Sequence, residues 1–300
     1  MQHVIETQQF DRPMLEGFFK DVDKLVKKHP KDALKGKVMA TLFYQPSTRT
    51  RFSFESAMVR LGGSVIGTEN AAEFSSASKG ETLEDSIRIV NGYADVIVLR
   101  HPETGSAAKA AAVSDVPVIN AGDGVGQHPT QALLDLYTIY KETGGIDGKT
   151  VVFVGDLKHY RTARSLAFVL RLFKNIKMIF VSPEELKMGE DIKESLTKNG
   201  VLFSETTSLE AAVREADVLY IGRIPKEYFE DLEEYKKFKG HFTLTRELVD
   251  TMKSDAIIMH PLPRETEIPV EVDSSPHARY FEQAKYGVFV RMALLLKVLH

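Results

Sequence analysis

The strongest constraint on the fold of this chain is the regular alternation of short apolar runs with longer amphipathic stretches. The apolar runs are rich in valine and isoleucine, as buried strands are, and the stretches between them carry apolar residues at helical spacing. Strands that alternate with helices favour parallel sheets with helices packed on their faces. The pattern therefore predicts an α/β protein.

The first half of the chain predicts one compact βα unit. Its first helix follows Asp11, whose side chain can cap a helix N-terminus, and carries Pro13 in the first turn. The next helix is expected to begin near Thr50 and to end at the glycine pair 62–63. Strands are expected at 38–44, 64–67, 96–99 and 118–120, and further helices at 82–92 and 105–113.

A helical segment at 129–141 leads to a second βα series. Strands are expected there at 151–154, 178–181, 201–203, 218–221 and 257–259. The clearest helices are expected at 161–173 and 184–198, and an apolar helix at 288–299 closes the chain. Chains of about 300 residues tend to divide into two cores, so we expect two α/β domains joined by a helix.

Composition excludes several classes of protein. With no cysteine, the chain cannot hold a disulfide, a thiolate nucleophile or a cysteine-ligated metal, and its histidines lack metal-ligand spacing. The 39 basic against 42 acidic side chains argue against a dedicated nucleic-acid binder. There is no apolar run of the ~20 residues that span a membrane, and the polar start of the chain does not resemble a signal peptide. We therefore expect a cytoplasmic protein without a metal, a cofactor or a membrane partner.

The segment from Gln45 to Arg51 is the most informative for chemistry. It lies between an apolar strand and a helix, where backbone N–H groups and the helix dipole favour an anion. Its three hydroxyls and two guanidiniums are donors suited to a phosphate. The alternative is an ordinary helix N-terminus with solvated arginines.

Other polar side chains follow predicted strands. Arg100 and His101 come directly after one strand, and His128 follows a glycine-rich turn and heads the helix that carries Gln131. Open α/β sheets bind ligands at the carboxyl ends of their strands, so these groups predict a shared anionic site. The polar loop 75–81, taken alone, has the composition of a solvated surface loop.

The second half shows the same placement. Arg161 heads a helix, Arg223 follows the strand at 218–221, and the segment from His260 to Arg264 follows the strand at 257–259. Two prolines in that last segment restrict the backbone and direct its carbonyl groups.

Together these motifs resemble the carbamoyltransferase family, and within it the catalytic chains of the aspartate-specific branch. The resemblance covers essentially the whole chain, with its motifs in the family's order. They stand at 47–51, 54–57, 79–82, 128–131, 135–137 and 260–264.

The resemblance implies transfer of a carbamoyl group from carbamoyl phosphate to L-aspartate, giving N-carbamoyl-L-aspartate and phosphate in pyrimidine synthesis. It also implies a carbamoyl phosphate domain, residues 1–129 with the returning helix 286–300, and an aspartate domain, residues 130–285, with the active site in the cleft between them. A homotrimer with shared active sites is expected, and a separate regulatory chain is compatible with the family. An organelle location would require a targeting segment removed from a longer precursor.

The resemblance also assigns roles to individual residues. The phosphate-binding motif is matched by Ser47, Thr48, Arg49 and Thr50. Arg100, His128 and Gln131 match the groups around the carbamoyl moiety, and Arg100 also reaches the phosphate. The backbone carbonyls of Pro261 and Leu262 would accept hydrogen bonds from the carbamoyl nitrogen.

The remaining roles concern aspartate and the neighbouring subunit. Arg161 and Arg223 match the groups that hold the aspartate carboxylates. Ser75 and Lys79 match a loop that a neighbouring subunit inserts into the site, where both would contact carbamoyl phosphate and Lys79 would also contact aspartate. This replaces the interpretation of that loop as merely solvated. Five residues are expected to act in catalysis: Arg49, Thr50, Lys79, Arg100 and His128.

The sequence departs from the family in one coherent place. Pro225 stands where relatives usually have a glutamine that helps to hold aspartate, and Tyr228 stands where they have an arginine. Gln45 replaces the glutamate that pairs with that arginine in many relatives. We therefore expect weaker aspartate binding or an altered closed state.

Two alternatives remain. One is a carbamoyltransferase for another amino acid such as ornithine, and the other is a non-catalytic subunit of the same fold. Two carboxylate-binding arginines favour a dicarboxylate, and Pro261 occupies the position at which ornithine enzymes typically carry cysteine. The intact phosphate and carbamoyl residues argue against a non-catalytic subunit.

Overall fold

Two parallel sheets, one in each half of the chain, form the framework of the protein. The structure, a computed structural model, describes residues 2–74, 79–224, 226, 229 and 231–300. The chain divides into unit 1, Met1–Leu134 with Lys285–His300, and unit 2, Asp135–Ala284. The predicted α/β class is confirmed. Among the described residues, no helix combines the length and apolar character needed to cross a membrane.

Unit 1 contains a four-stranded sheet in the order β2-β1-β3-β4. The strands are β1 (Val38–Phe43), β2 (Ser64–Glu69), β3 (Val96–His101) and β4 (Val118–Asp123). The helices are α1 (Arg12–Lys27), α2 (Thr48–Arg60), α3 (Ala71–Phe74), α4 (Leu83–Val90), α5 (Ser106–Val113) and the first part of α6 (Pro129–Glu142). As predicted, the Asp11 side chain caps α1 by accepting a hydrogen bond from the backbone N–H of Met14.

Unit 2 contains a five-stranded sheet in the order β7-β6-β5-β8-β9. The strands are β5 (Thr150–Val154), β6 (Lys177–Val181), β7 (Leu202–Thr206), β8 (Val218–Ile221) and β9 (Ile257–Met259). The helices are α7 (Arg161–Leu170), α8 (Glu190–Lys198), α9 (Leu209–Glu215), α10 (Leu232–Phe238), α11 (Arg246–Val249) and α12 (Tyr280–Leu299), whose last part belongs to unit 1. Short 3-10 turns occupy Thr7–Gln9, Glu184–Leu186 and Val270–Ser274.

The single helix predicted at 184–198 is wrong. The chain forms a 3-10 turn at Glu184–Leu186, becomes extended at Lys187 and enters α8 only after Gly189. Leu186 and Met188 are both buried on either side of the extended residue. Burying these two side chains interrupts the helical hydrogen bonds that local propensity alone would favour.

The closing helix begins at Tyr280, earlier than the predicted start at residue 288. Gly287, the residue before that predicted start, lies inside α12. A Cβ atom there would stand 2.5 Å from Nη1 of Arg291 and 3.3 Å from a Leu134 methyl carbon. The glycine therefore permits close packing rather than ending the helix.

A buried carboxylate organises the core of unit 2. Asp135 is fully buried on α6 and accepts hydrogen bonds from the Tyr220 hydroxyl at 2.8 Å and from Nε2 of Gln283 at 2.6 Å. Oε1 of Gln283 accepts in turn from the backbone N–H of His260 at 2.9 Å. Burial, together with the charge of Asp135, raises the pKa of Tyr220 well above its usual value, so the phenol keeps its proton and remains a donor.

We expect Tyr220→Phe to destabilise the protein by about 1–3 kcal/mol, because Asp135 loses one donor without access to water. Urea unfolding monitored by circular dichroism measures the change. The control is Tyr93→Phe, since the Tyr93 side chain is 64% exposed and its change should stay within about 0.5 kcal/mol. Equal effects of the two substitutions would show that the Asp135 network contributes little.

Candidate active site

The carboxyl ends of β1, β3 and β4 lie at one edge of the unit 1 sheet. Phe43 at the end of β1 pairs with Arg100 near the end of β3. Nη1 of Arg100 donates to the carbonyl of Ala121 on β4 at 3.1 Å, which orients the guanidinium along this edge. The structure thus brings Arg100 to the strand ends at which the sequence predicted an anionic site.

Helix α2 begins at Thr48, two residues before the predicted start, so the whole Ser-Thr-Arg-Thr motif lies at its N-terminus. Ser47 is the N-cap residue, but its side chain makes no capping bond; its Oγ donates instead to Oγ1 of Thr50 at 3.1 Å. The two hydroxyls therefore lie together beside the first turn of α2. Backbone amides at such a terminus favour an anion.

Arg51, the second guanidinium of the motif, has a different environment. Its Nε donates to Glu55 at 2.7 Å and its Nη1 donates to Glu69 on β2 at 2.8 Å. The hydrogen bond that Arg51 donates to Glu55, together with the negative charges of Glu55 and Glu69, raises the pKa of Arg51 against the opposing effect of burial. The pair with Glu69 links α2 to β2, and the pair with Glu55 lies within α2. Arg51 is thus engaged in structural ion pairs, and Arg49 is the candidate of the motif for phosphate.

His128 and Gln131 are both buried at the start of α6. The backbone N–H of Gln131 donates to the carbonyl of His128 at 3.0 Å, which closes the first helical turn. Nδ1 of His128 lies 3.5 Å from Oγ1 of Thr130. Lys79 is exposed shortly before α4, whereas Ser75 lies outside the described residues.

In unit 2, Arg161 is the first residue of α7 and is largely buried. The loop before it is shaped by Asp156, a fully buried carboxylate that accepts from the backbone N–H groups of Lys158 and His159 at 3.1 and 3.0 Å. Nδ1 of His159 lies 3.0 Å from the second Asp156 oxygen. This turn places Arg161 at the carboxyl end of β5.

Arg223 follows β8, next to β5 in the sheet, and lines a pocket of unit 2 together with Glu265. The two side chains form an ion pair, with Nη1 of Arg223 2.9 Å from Oε1 of Glu265. Beside this pair, the backbone after β5 lies close to the backbone after β8. A Cβ atom at Gly155 would stand 2.4 Å from the Gly222 carbonyl oxygen, and Gly155 has φ +124°. Only glycine fits this backbone.

The loop from His260 to Glu267 is held by a buried histidine. Nδ1 of His260 accepts from the backbone N–H of Leu262 at 2.7 Å, so the ring proton lies on Nε2 and is donated to Glu267 at 2.8 Å. Glu267 also accepts from the backbone N–H of Glu265 at 3.1 Å. These bonds fix the backbone of Pro261 and Leu262, whose carbonyls the sequence analysis expects to face the carbamoyl nitrogen.

Glu267 remains ionised within this loop. Burial acts to raise the pKa of Glu267, but the hydrogen bond from His260 and the backbone N–H bonds outweigh it and lower the pKa below its usual value. Its carboxylate therefore stays available as an acceptor down to mildly acidic pH.

Glu265 is the residue that the sequence analysis missed. The available signal was an acidic residue directly after Arg264, at the end of a motif already singled out. Arg264 itself forms a bidentate ion pair with Asp273, with Nη2 and Oδ2 2.7 Å apart, and so belongs to the support of the loop. Among the described residues there is no cluster of three acidic or histidine side chains able to hold a metal ion.

Both halves of the chain match models of one protein family. Residues 2–141 match the model described as aspartate/ornithine carbamoyltransferase, carbamoyl-P binding domain. Residues 147–298 match the corresponding Asp/Orn binding domain. The chain belongs to the aspartate/ornithine carbamoyltransferase family.

The similar proteins lie on the aspartate branch. Aspartate carbamoyltransferase 3, chloroplastic, of Pisum sativum is 55% identical over 300 residues, covering 98% of this chain and 77% of that protein. The aspartate carbamoyltransferase catalytic subunit of Methanocaldococcus jannaschii is 50% identical over 303 residues, covering 100% and 98%. The predicted resemblance to the aspartate-specific catalytic chains is confirmed.

Solved structures extend the comparison to the fold. A crystal structure of the M. jannaschii catalytic subunit superposes with a TM-score of 0.91 at 50% identity, covering 100% of this chain and 98% of that one. Aspartate transcarbamoylase of Trypanosoma cruzi, in complex with carbamoyl phosphate and aspartate, superposes with a TM-score of 0.94 at 38% identity, covering 100% and 97%.

We expect Glu267→Gln to destabilise the protein by about 1.5–3 kcal/mol at pH 7, because a charged acceptor of several hydrogen bonds is lost. The folded pKa of Glu267 is lowered, so its contribution is full above the unfolded pKa and is lost as the pH falls through the folded one. The stability gap between variant and wild type should therefore close below about pH 4.

Thermal unfolding between pH 3 and pH 7 measures this gap, with the exposed Glu271→Gln as the matched control. A gap that is constant with pH would contradict the assigned role of the Glu267 charge.

Proposed function

We propose that this chain is the catalytic chain of an aspartate carbamoyltransferase, which converts carbamoyl phosphate and L-aspartate to N-carbamoyl-L-aspartate and phosphate in pyrimidine synthesis. The observation that carries the proposal is the anion-binding helix terminus at the strand ends of unit 1. The T. cruzi enzyme, whose fold this chain shares over its full length, was solved with both substrates.

The phosphate of carbamoyl phosphate would bind at the N-terminus of α2. The hydroxyls of Ser47 and Thr50 lie together there, and Thr48 and Arg49 belong to the same turn. Amide groups, hydroxyls and one guanidinium supply hydrogen bonds and positive charge to a dianion.

The carbamoyl carbonyl would be polarised by Thr50, Arg100 and His128. As the aspartate amine attacks, negative charge collects on the carbonyl oxygen, and preorganised donors stabilise that charge as an oxyanion hole does. The buried His128 and the oriented Arg100 are donors of this kind. Gln131 and the carbonyls of Pro261 and Leu262 would hold the carbamoyl nitrogen.

The new C–N bond forms as the C–O bond to phosphate breaks, and the departing phosphate accepts the proton that the amine loses. The reaction therefore requires no strong general base from the protein. Its rate depends on positioning and on electrostatic stabilisation.

Arg161 and Arg223 would bind the two carboxylates of aspartate. Both stand at carboxyl ends of neighbouring strands of unit 2. Two guanidiniums match a dicarboxylate, whereas the side-chain amine of ornithine is a cation and would be repelled. This supports residues 130–285 as the aspartate domain and residues 1–129 with 286–300 as the carbamoyl phosphate domain.

We propose further that the enzyme is a homotrimer in which Lys79 and Ser75 complete the site of a neighbouring subunit. An exposed apolar surface supports this: Phe52 and Val59 on α2 are 58% and 61% exposed, and Ile66 on the edge strand β2 is 44% exposed. Phe52 and Val59 are seven residues apart and so share one face of α2, and exposed large apolar side chains favour a protein interface. A regulatory chain is compatible with this assembly.

The cellular location is proposed to be cytoplasmic. The plant relatives are named as chloroplastic proteins. Fractionation of the source cells distinguishes the two locations.

The activity is tested by incubating the purified protein with carbamoyl phosphate and either aspartate or ornithine. We expect N-carbamoyl-aspartate from the first and no citrulline above background from the second, measured by colorimetric ureido assay and mass spectrometry. Product from ornithine, or no product from aspartate, would refute the proposed function.

Shared sites are tested by mixing Lys79→Ala and His128→Ala subunits after separate purification. Each variant alone should be nearly inactive. Random equal mixing in a closed ring of three subunits should restore about one native site in four. Each variant taken through the same dissociation and reassembly alone is the control, and a mixture no more active than its parents would show that sites are not shared.

A further inference from the structure

The Arg223–Glu265 ion pair has a consequence for substrate binding. Nη1 of Arg223 lies 2.9 Å from Oε1 of Glu265, and the two side chains are 19% and 41% exposed, so the pair lies at the mouth of its pocket rather than in the core. This inference rests on the proposed function, in which the Arg223 guanidinium binds a carboxylate of the substrate. The carboxylate that it binds in this structure belongs to the protein itself.

Glu265 is held in this position by its backbone. Its N–H donates to both oxygens of Glu267 at 3.1 Å, and Glu267 is held by the buried His260. The preceding residue, Arg264, forms an ion pair with Asp273. The backbone of the loop that carries Glu265 is therefore fixed by hydrogen bonds, and it holds the Glu265 carboxylate next to Arg223.

The Glu265 carboxylate and a substrate carboxylate require the same N–H donors of Arg223. A guanidinium binds a carboxylate most strongly through two parallel N–H bonds, and the end-on form of that arrangement uses Nη1 and Nη2 together. Glu265 already occupies Nη1. A substrate carboxylate that binds end-on must displace Glu265, and one that binds elsewhere on Arg223 meets a neighbouring negative charge.

We propose that Glu265 is a specificity-determining residue that acts through Arg223, as a tethered competitor for the aspartate carboxylate that lowers the affinity for aspartate. A competitor on the same chain acts at a high effective concentration, so it is present at every encounter with substrate. Because it acts through Arg223, its effect is confined to the binding of the amino acid.

The test is Glu265→Gln, which keeps the size of the side chain and removes its charge. An exposed ion pair of this kind corresponds to about a two- to five-fold effect on affinity. We expect the KM for aspartate to fall by this factor, with kcat and the KM for carbamoyl phosphate unchanged. Glu265→Asp, which retains the charge, should keep the KM close to the wild-type value.

The matched control is Glu215→Gln, which removes the same charge from the exposed pair between Lys177 and Glu215 and should leave every constant unchanged. An aspartate KM that is unchanged or higher in Glu265→Gln would overturn the inference, since Glu265 would then be neutral or would orient Arg223 for the substrate.

A binding measurement separates this inference from the proposed function. Succinate, a dicarboxylate without an amine, is titrated calorimetrically into wild type and Glu265→Gln with carbamoyl phosphate present. Tighter binding by the variant supports competition at Arg223 even if the wild type forms no N-carbamoyl-aspartate, an outcome that would refute only the proposed function. Equal affinities, or no binding by either protein, would overturn the inference.

Discussion

The need to supply donors to one buried carboxylate governs the arrangement of unit 2. Asp135 accepts hydrogen bonds from Tyr220 on β8 and from Gln283 on α12. Gln283 in turn accepts a hydrogen bond from the backbone N–H of His260. Tyr220 stands three residues before Arg223, and His260 opens the loop that carries Glu265. Because a buried charge without partners is costly, the strand end and the loop are both positioned from the core.

In the proposed function, the two units bind anions by different physical means. Unit 1 offers a helix N-terminus with hydroxyl groups beside it, which suits the compact charge of a phosphate. Unit 2 offers guanidinium groups at the ends of neighbouring strands, which suit planar carboxylates. Both arrangements follow from the parallel sheets, since the carboxyl ends of parallel strands lie at one edge of the sheet.

Local pattern was sufficient for the framework and for the placement of polar groups at strand ends. Strand positions, the Asp11 cap and these groups follow from periodicity and short motifs. The roles of the site residues stay predictions, and Ser75, Pro225 and Tyr228 lie outside the described part of the chain. The break before Gly189 and the pairing of Arg223 with Glu265 depend on contacts between distant residues. Periodicity carries no information about such contacts.

The close approach of Gly155 to the Gly222 carbonyl bears on how the enzyme could acquire another amino acid as substrate. Strand ends that admit no side chain cannot be varied, so neither natural drift nor laboratory evolution can reshape the pocket there. Variation is left to the flanking segments, and the loop that carries Glu265 already contacts Arg223, the arginine proposed to bind aspartate. New amino acid preferences in this scaffold should therefore arise first as exchanges in that loop.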